Sequence, residues 1–256
     1  MKVTYVYHSG FIVELESATL LFDYYKGELK KLDPQKPLYV FSSHNHYDHF
    51  NKGILSLIKS YPNISFILSS DIKTSLEEND TLRSLSDDVK QRIHFIKPNE
   101  EKLFLHGKAV TSTTDFSNER FLKVKTLEST DEGVAFSISI DGKEIFHAGD
   151  LHWWTWEGET KQEYKNMTDR FFKEVAKISK IPIDLAFLPV DPRQEDRFYW
   201  GFDHYMRTCD IKHAFPMHFW DDFSLITRFM NMDDSKDYIS KIMNIERDGQ
   251  TFIIEE

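Results

Sequence analysis

Apolar residues in the first fifty positions fall in short runs of strand length. "KVTYVY" (2–7), "GFIVEL" (10–15) and "TLLFDYY" (19–25) are rich in β-branched and aromatic residues, which suit a pleated backbone. "ESA" (16–18) predicts a tight turn between the second and third. "PLYVFSS" (37–43) is apolar almost throughout and reads as a strand buried on both faces. The period then lengthens. "FNKGILSLIKSYP" (50–62) places Ile54, Leu57 and Ile58 on one helical face, with Pro62 beyond its end. "NISFILSS" (63–70) is a second buried strand, and "DIKTSLEEN" (71–79) predicts a helix capped by Asp71.

Four further strands follow: "RIHFIK" (92–97), "KLFLHG" (102–107), "RFLKVKTL" (120–127) and "GVAFSISI" (133–140). The Asp141-Gly142 pair predicts a hairpin turn into "KEIFHAGD" (143–150). Beyond it, "KQEYKNMTDRFFKEVAKIS" (161–179) is a long amphipathic helix with Phe171, Phe172, Val175 and Ile178 on its apolar side. "IDLAFLPV" (183–190) and "KHAFPMHF" (212–219) read as strands. "FDHYMRTC" (202–209) and "DDFSLITRFM" (221–230) read as helices, the latter capped by one of its aspartates. "IERDGQTFIIE" (245–255) reads as a closing strand pair. The chain thus has two halves, each with strands first and then helices and strands in alternation. Such halves predict an α/β fold in which two sheets pack together with helices outside.

The 256 residues are 40% hydrophobic, enough for one domain spanning 1–256 with a large core, and the 21 phenylalanines predict an aromatic one. The net charge of −10 argues against nucleic acid as a partner and leaves a small-molecule substrate as the expectation; a homo-oligomer is compatible with everything seen. Cys209 stands alone, so no disulfide forms within the chain, and it reads as a small buried residue. No apolar run approaches the roughly 20 residues that span a bilayer, and the alternating start does not resemble a signal peptide. A soluble cytoplasmic protein is expected.

The chemistry concentrates in "FSSHNHYDHF" (41–50), where His44, His46, Asp48 and His49 follow directly on a buried strand. Imidazole and carboxylate suit zinc and related divalent ions. Side chains two apart on an extended segment point the same way, so His44 and His46 pair naturally, while Asp48 and His49 follow where the chain turns. Two ions sharing the cluster is the economical reading. The missing ligands should come from the ends of other buried strands, and two such ends offer them: Gly149-Asp150 and His218. Trp153, Trp154, Trp156 and Trp220 lie beside these positions and predict an aromatic pocket. Arg193 is placed to meet an anionic substrate group.

The pattern His44-x-His46-x-Asp48-His49, then Gly149-Asp150, then His218 resembles the metallo-β-lactamase superfamily of metal-dependent hydrolases, over nearly the whole chain. "YHSGFIVEL…TLLFDYY" is similar to the opening of the branch that holds ascorbate-phosphate lactonases and other hydrolases. The resemblance implies a four-layer αβ/βα sandwich with metals at one edge. It implies that Asp150 bridges two ions and that Asp48, His49 and His218 hold the second. It also implies a water nucleophile whose proton Asp48 handles, and places His8 near the metals as a substrate contact and Asp23 as a support for the metal loops. Zinc is favoured as cofactor, with manganese or iron acceptable, in one or two copies. A small ester, lactone or phosphoester, is the expected substrate; a phosphodiesterase or nuclease of the same fold, or a non-catalytic binding member, are the rivals. In one place the chain departs from the family. The histidine usual before the strand leading to Asp150 is absent, and Glu128 occupies its place, with Asp131 and Glu132 close behind. Glu128, or alternatively His152, is then asked to complete the first ion.

Overall fold

The computed structural model describes residues 1–105, 107–110 and 121–255. His106 and Arg120, which fall within two of the predicted strands, lie outside the described residues. In the first half of the chain, β1 (Lys2–Tyr7), β2 (Gly10–Glu14), β3 (Thr19–Phe22), β4 (Leu38–Ser42), β5 (Ile64–Ser69) and β6 (Ile93–Ile96) build one sheet. In the second half, β7 (Glu101–Leu105), β8 (Lys108–Val110), β9 (Leu122–Glu128), β10 (Val134–Ile140), β11 (Lys143–His147), β12 (Ile183–Pro189) and β13 (Ile211–Met217) build the other. A last strand, β14 (Thr251–Ile253), returns to pair antiparallel with β1. The orders are β14-β1-β2-β3-β4-β5-β6 and β13-β12-β11-β10-β9-β7-β8. Each sheet is mixed: antiparallel hairpins at one side give way to parallel strands, β3 to β6 in the first and β11 to β13 in the second.

The strands are apolar on both faces because both faces are covered. Phe11, Phe22 and Phe41 point inward and meet Phe136, Phe187 and Phe215 of the facing sheet; the Phe11 and Phe187 rings lie 4.4 Å apart and Phe41 and Phe136 5.2 Å. Their neighbours Ile12, Leu21, Val40, Phe66 and Leu68 point outward under Ile54 and Leu55 of a 3-10 helix (Lys52–Lys59) and Ile72 and Leu76 of α1 (Ser70–Glu78). The short α2 (Thr81–Ser84) and α3 (Asp87–Gln91) follow on that side. Over the second sheet, α4 (Lys161–Val175) contributes Phe171 and Val175, α5 (Trp200–Thr208) sets Tyr205 5.7 Å from Phe146, and α6 (Phe223–Met230) adds Phe229. These are the four layers of an αβ/βα sandwich, with the aromatic core between the sheets.

Four local expectations need correction. Residues 50–62 form the shorter 3-10 helix, which Asn51 caps through Gly53 N at 2.8 Å. Asp71 does not cap α1; its carboxylate accepts from Asn45 N at 2.7 Å and so ties the first helix to the histidine loop. Asp222 precedes α6, but its side chain makes no capping bond to the backbone. The C-terminal segment gives one strand, not two, because its partner is β1 and not its own neighbour. Among the described residues, no helix is long and apolar enough to cross a membrane.

Candidate metal centre

Strand ends gather at one edge of the sandwich. Asp23 follows β3, His44 to His49 follow β4, Asp150 follows β11, Asp191 follows β12 and His218 follows β13. All are C-terminal strand ends, where layered α/β folds open a crevice. Two hairpin turns complete the edge: His8 lies between β1 and β2, Asp131 between β9 and β10. His8, Asp23 and His218 have φ of 56°, 38° and 67°, left-handed values that non-glycine residues seldom take and that surrounding packing must hold in place. The His218 N–H donates to the His8 carbonyl at 3.2 Å, so the two strained residues brace each other. After His46 the chain doubles back: His49 N and Phe50 N both donate to the His46 carbonyl at 3.0 Å, which returns Asp48 and His49 toward His44.

Eight side chains converge in two groups. His8, Asp48, His49 and His218 form one; His44, His46, Asp131 and Asp150 form the other. Within each, one donor atom per residue lies within 4.8 Å of all the rest. Asp150 faces both groups. Its Oδ1 is 3.3 Å from His49 Nε2 and 3.5 Å from His218 Nε2, and its Oδ2 is 3.6 Å from His44 Nε2. His44 Nε2 and His46 Nδ1 are 3.0 Å apart, and His46 Nδ1 is 3.6 Å from Asp131 Oδ2. Four donors about 2.1 Å from a common centre in tetrahedral array stand roughly 3.4 Å apart, so these separations are those of ligands around a first-row ion.

The far sides of the imidazoles are fixed. His49 Nδ1 bonds to Asp23 Oδ2 at 2.7 Å, and His218 Nδ1 to Asp191 Oδ2 at 2.9 Å. Asp23 also accepts from Ser43 N and Ser43 Oγ, both at 2.7 Å, and Ser43 Oγ lies 3.0 Å from His44 Nδ1. Each of these histidines therefore turns Nε2 toward the shared space, the arrangement by which carboxylates orient metal-binding imidazoles. Burial pushes His8, His44 and His49 down to about 4, so at neutral pH they are neutral and have a lone pair to give. Burial also acts to lower His218, but Asp150 and Asp191 beside it outweigh this and lift it to about 10. Asp48 and Asp150 are buried enough to be pushed up, yet the surrounding histidines hold both below the usual carboxylate range. Among the described residues, His49 Nε2, Asp150 Oδ1 and His8 Nδ1 are buried without a hydrogen-bond partner. Orphaned buried polar atoms of this kind are costly unless something else satisfies them, and this set of ligand atoms fits divalent cations.

Above the groups lies a cleft of about 460 Å³, with Asp48, Asp131, Asp150 and His218 at its floor and Tyr47, Trp154, Trp156, Met167, Arg193 and Trp220 around it. Arg193 grips Asp191 through its backbone N–H and Nε, both at 2.9 Å, and its guanidinium lies 5.9 Å from the Trp154 ring.

Of the residues singled out from the sequence, His44, His46, Asp48, His49, Asp150 and His218 all reach the centre, and Arg193 reaches the cleft wall. The other two expected substrate contacts do not line the cleft. Trp153 packs against Phe171, Phe172 and Trp200, with its indole N–H bonded to Thr168 Oγ1 at 2.9 Å; Trp154 and Trp156 take the wall. His8 is fully buried beneath the cleft, its ring 4.3 Å from His218 and 4.2 Å from Trp220, with Nε2 3.3 Å from Asp48 Oδ2. Neither expected substitute for the missing histidine joins a donor group. Glu128 ends β9 exposed, and His152 is buried against Gln194 Oε1 at 2.6 Å. Asp131 stands there instead. Asp191 was also missed, although "IDLAFLPVD" carries the same signal as the others: an acid closing a buried strand.

A family model described as the beta-lactamase superfamily domain matches residues 21–219. No curated protein matches the chain significantly. Among solved structures, Igni18, a metallo hydrolase from the hyperthermophilic archaeon Ignicoccus hospitalis, superposes with a TM-score of 0.60 at 17% identity, covering 99% of both chains. The metallo-beta-lactamase fold protein YhfI from Bacillus subtilis gives 0.57 at 12% identity, over 98% of this chain and 99% of that one. Human tRNase Z, short form, gives 0.55 at 14% identity over 100% of both. With that domain model spanning most of its length and the same sandwich carried from end to end, the chain belongs to the beta-lactamase superfamily and has the metallo-β-lactamase fold.

Proposed function

We propose that this member of a superfamily of metal-dependent hydrolases cleaves a small ester-type substrate, a lactone or a phosphoester, with His44, His46, Asp48, His49, Asp150 and His218 holding one or two divalent ions. The observation that carries the reading is Asp150, whose two carboxylate oxygens face different groups of donors across the centre. A divalent ion held there would supply an activated water and polarisation of the ester oxygen. The rest falls to the chain. Asp48, kept ionised by His8, His49 and His218, stands at the cleft floor to take the proton of the attacking water and return it to the leaving group. Asp23 and Asp191 keep the imidazoles aimed. Arg193 meets an anionic group on the substrate, and Trp154, Trp156 and Trp220 shield the reacting bond from bulk water. Zinc best suits the imidazole-rich donors, with manganese and iron accepted by the carboxylates.

A phosphodiesterase of this fold is the second reading, since tRNase Z shares the architecture over its whole length. The net charge of −10 and the lone arginine among the described residues around the cleft weigh against a long polyanion. The test is turnover by protein loaded with zinc, manganese or iron on lactone, phosphomonoester, phosphodiester and thioester model substrates. Chelator-sensitive hydrolysis of a lactone or phosphoester supports the proposal. Inertness toward every class, with binding of a small anion retained, would replace it with a ligand-sensing role.

A further inference from the structure

The two donor groups are not equivalent. One holds three imidazoles and one carboxylate; its His49 and His218 side chains are 0% and 2% exposed. The other holds two imidazoles and two carboxylates, and its His46 and Asp131 side chains are both 43% exposed. Asp131 is delivered there by a turn pinned on both sides. Gly133 (φ 68°) presses so closely on the histidine loop that a Cβ would stand 2.1 Å from the Ser43 carbonyl and 2.6 Å from His44 Cβ. Val134 N donates to the same carbonyl at 2.9 Å. Across the turn, Thr130 Oγ1 donates to the His152 carbonyl at 2.6 Å, just beyond Asp150. Clamped between these loops, the turn sets Asp131 against one nitrogen of His46 while Glu132 Oε2 lies 3.6 Å from the other.

Resting on the dinuclear reading above, we infer that Asp131 is a metal ligand of this chain and that it makes the outer site an oxygen-rich, exchangeable one, filled after the buried histidine-rich site and open to harder ions such as manganese. Nitrogen-rich, dry donors favour zinc, whereas carboxylates and water serve manganese as well. The exposed pair His46 and Asp131 also stands open to water, so competing ligands reach this site more readily than the buried group.

Chelator-stripped protein would be titrated with Zn²⁺ and Mn²⁺ alone and its metal counted by elemental analysis before and after desalting. One zinc should survive desalting and a second ion should be present only while metal is in the buffer. Asp131→Ala should leave the retained zinc and weaken the second by at least ~100-fold, beyond the 10–100-fold that loss of an outer hydrogen-bond partner costs. Asp131→His should convert the second site into one that keeps zinc through desalting. Thermal melts of the stripped variants, matching wild type, establish that the fold is intact. If Asp131→Ala binds both ions as wild type does, or if His218→Ala spares the retained ion, the inference is overturned. A wild type that holds one ion and still hydrolyses esters overturns this inference alone; one that takes up no ion under any condition overturns the dinuclear reading beneath it.

Discussion

Held side by side, the two halves of the centre are fastened differently. His49 and His218 are each locked by a buried carboxylate, Asp23 and Asp191, and both carboxylates sit at strand ends inside the sandwich. Among the described residues, His46 has the exposed Glu132 behind it, on a hairpin turn. His44 stands between, resting on Ser43 and through it on Asp23. Rigid strands hold a buried, pre-aimed set of imidazoles, while the turn supplies a half-exposed set. Precision is placed where the protein is dry and exchange where it is wet. Asp150 belongs to both and is the point at which the comparison is most easily broken.

Asp150→Ala should therefore have the largest effect, removing ions from both sides and lowering hydrolytic turnover by at least about 1000-fold, as loss of a preorganised charge at a reacting centre does. Metal content and kcat/KM measured on one preparation check this together. Asp48→Asn keeps the shape of the side chain but not its basicity; turnover should drop by roughly 10²–10⁴-fold, the range of general acid–base catalysis, with most of the metal retained. Equal turnover in that variant would remove Asp48 from the proton transfer.

Asp23→Ala sharpens the contrast between locked and unlocked histidines. It strands the Ser43 N–H and the His49 ring in the interior, and unfolding by denaturant should show a loss of about 2–4 kcal/mol, from desolvated groups worth about 1–3 kcal/mol each. Glu132→Gln should leave stability unchanged and weaken only the outer ion, by ~10-fold, the least that an outer partner contributes.

Acidity tests the metal-free protein in the same terms. His8, His44 and His49 titrate near 4 when folded but near 6.5 when unfolded, so below pH 6.5 the unfolded chain binds protons the folded one does not. Stability should fall as pH drops from about 6.5 toward 4. His218 works in the opposite sense: lifted to about 10, its contribution is complete below 6.5 and is lost as pH rises through 10. Melting temperatures of stripped protein across that range should peak near neutrality. Bound metal, which needs neutral imidazoles, should steepen the acid limb.

The sequence made much of this legible for a physical reason. A polar cluster directly after a buried strand has one place to go, the sheet edge, and His44 to His49, Asp150 and His218 were found by that rule. Asp191 obeys the same rule; only its lack of a neighbouring histidine hid it. Asp131 and His8 were harder, because each lies on a turn. Where a turn residue points depends on what the turn is clamped to, here Ser43, His44 and the His152 carbonyl, and none of those contacts is local in sequence. Trp153 was misjudged for the same reason: three tryptophans within four positions announce an aromatic wall without saying that Trp153 turns inward onto α4. Burial and period fixed the two sheets and their helices, whereas the short strand β8 and helices α2 and α3, with little apolar surface of their own, left no such trace.

The central claim is that segments near positions 45, 150 and 218 close around shared cations. Anomalous diffraction at the zinc edge from crystals of metal-loaded protein tests it directly. Two peaks should flank Asp150, one with His49 Nε2 and His218 Nε2 at about 2.0–2.1 Å, the other with His44 Nε2 and His46 Nδ1 at the same range. A metal found elsewhere, or an Asp150 that touches none, would contradict the claim.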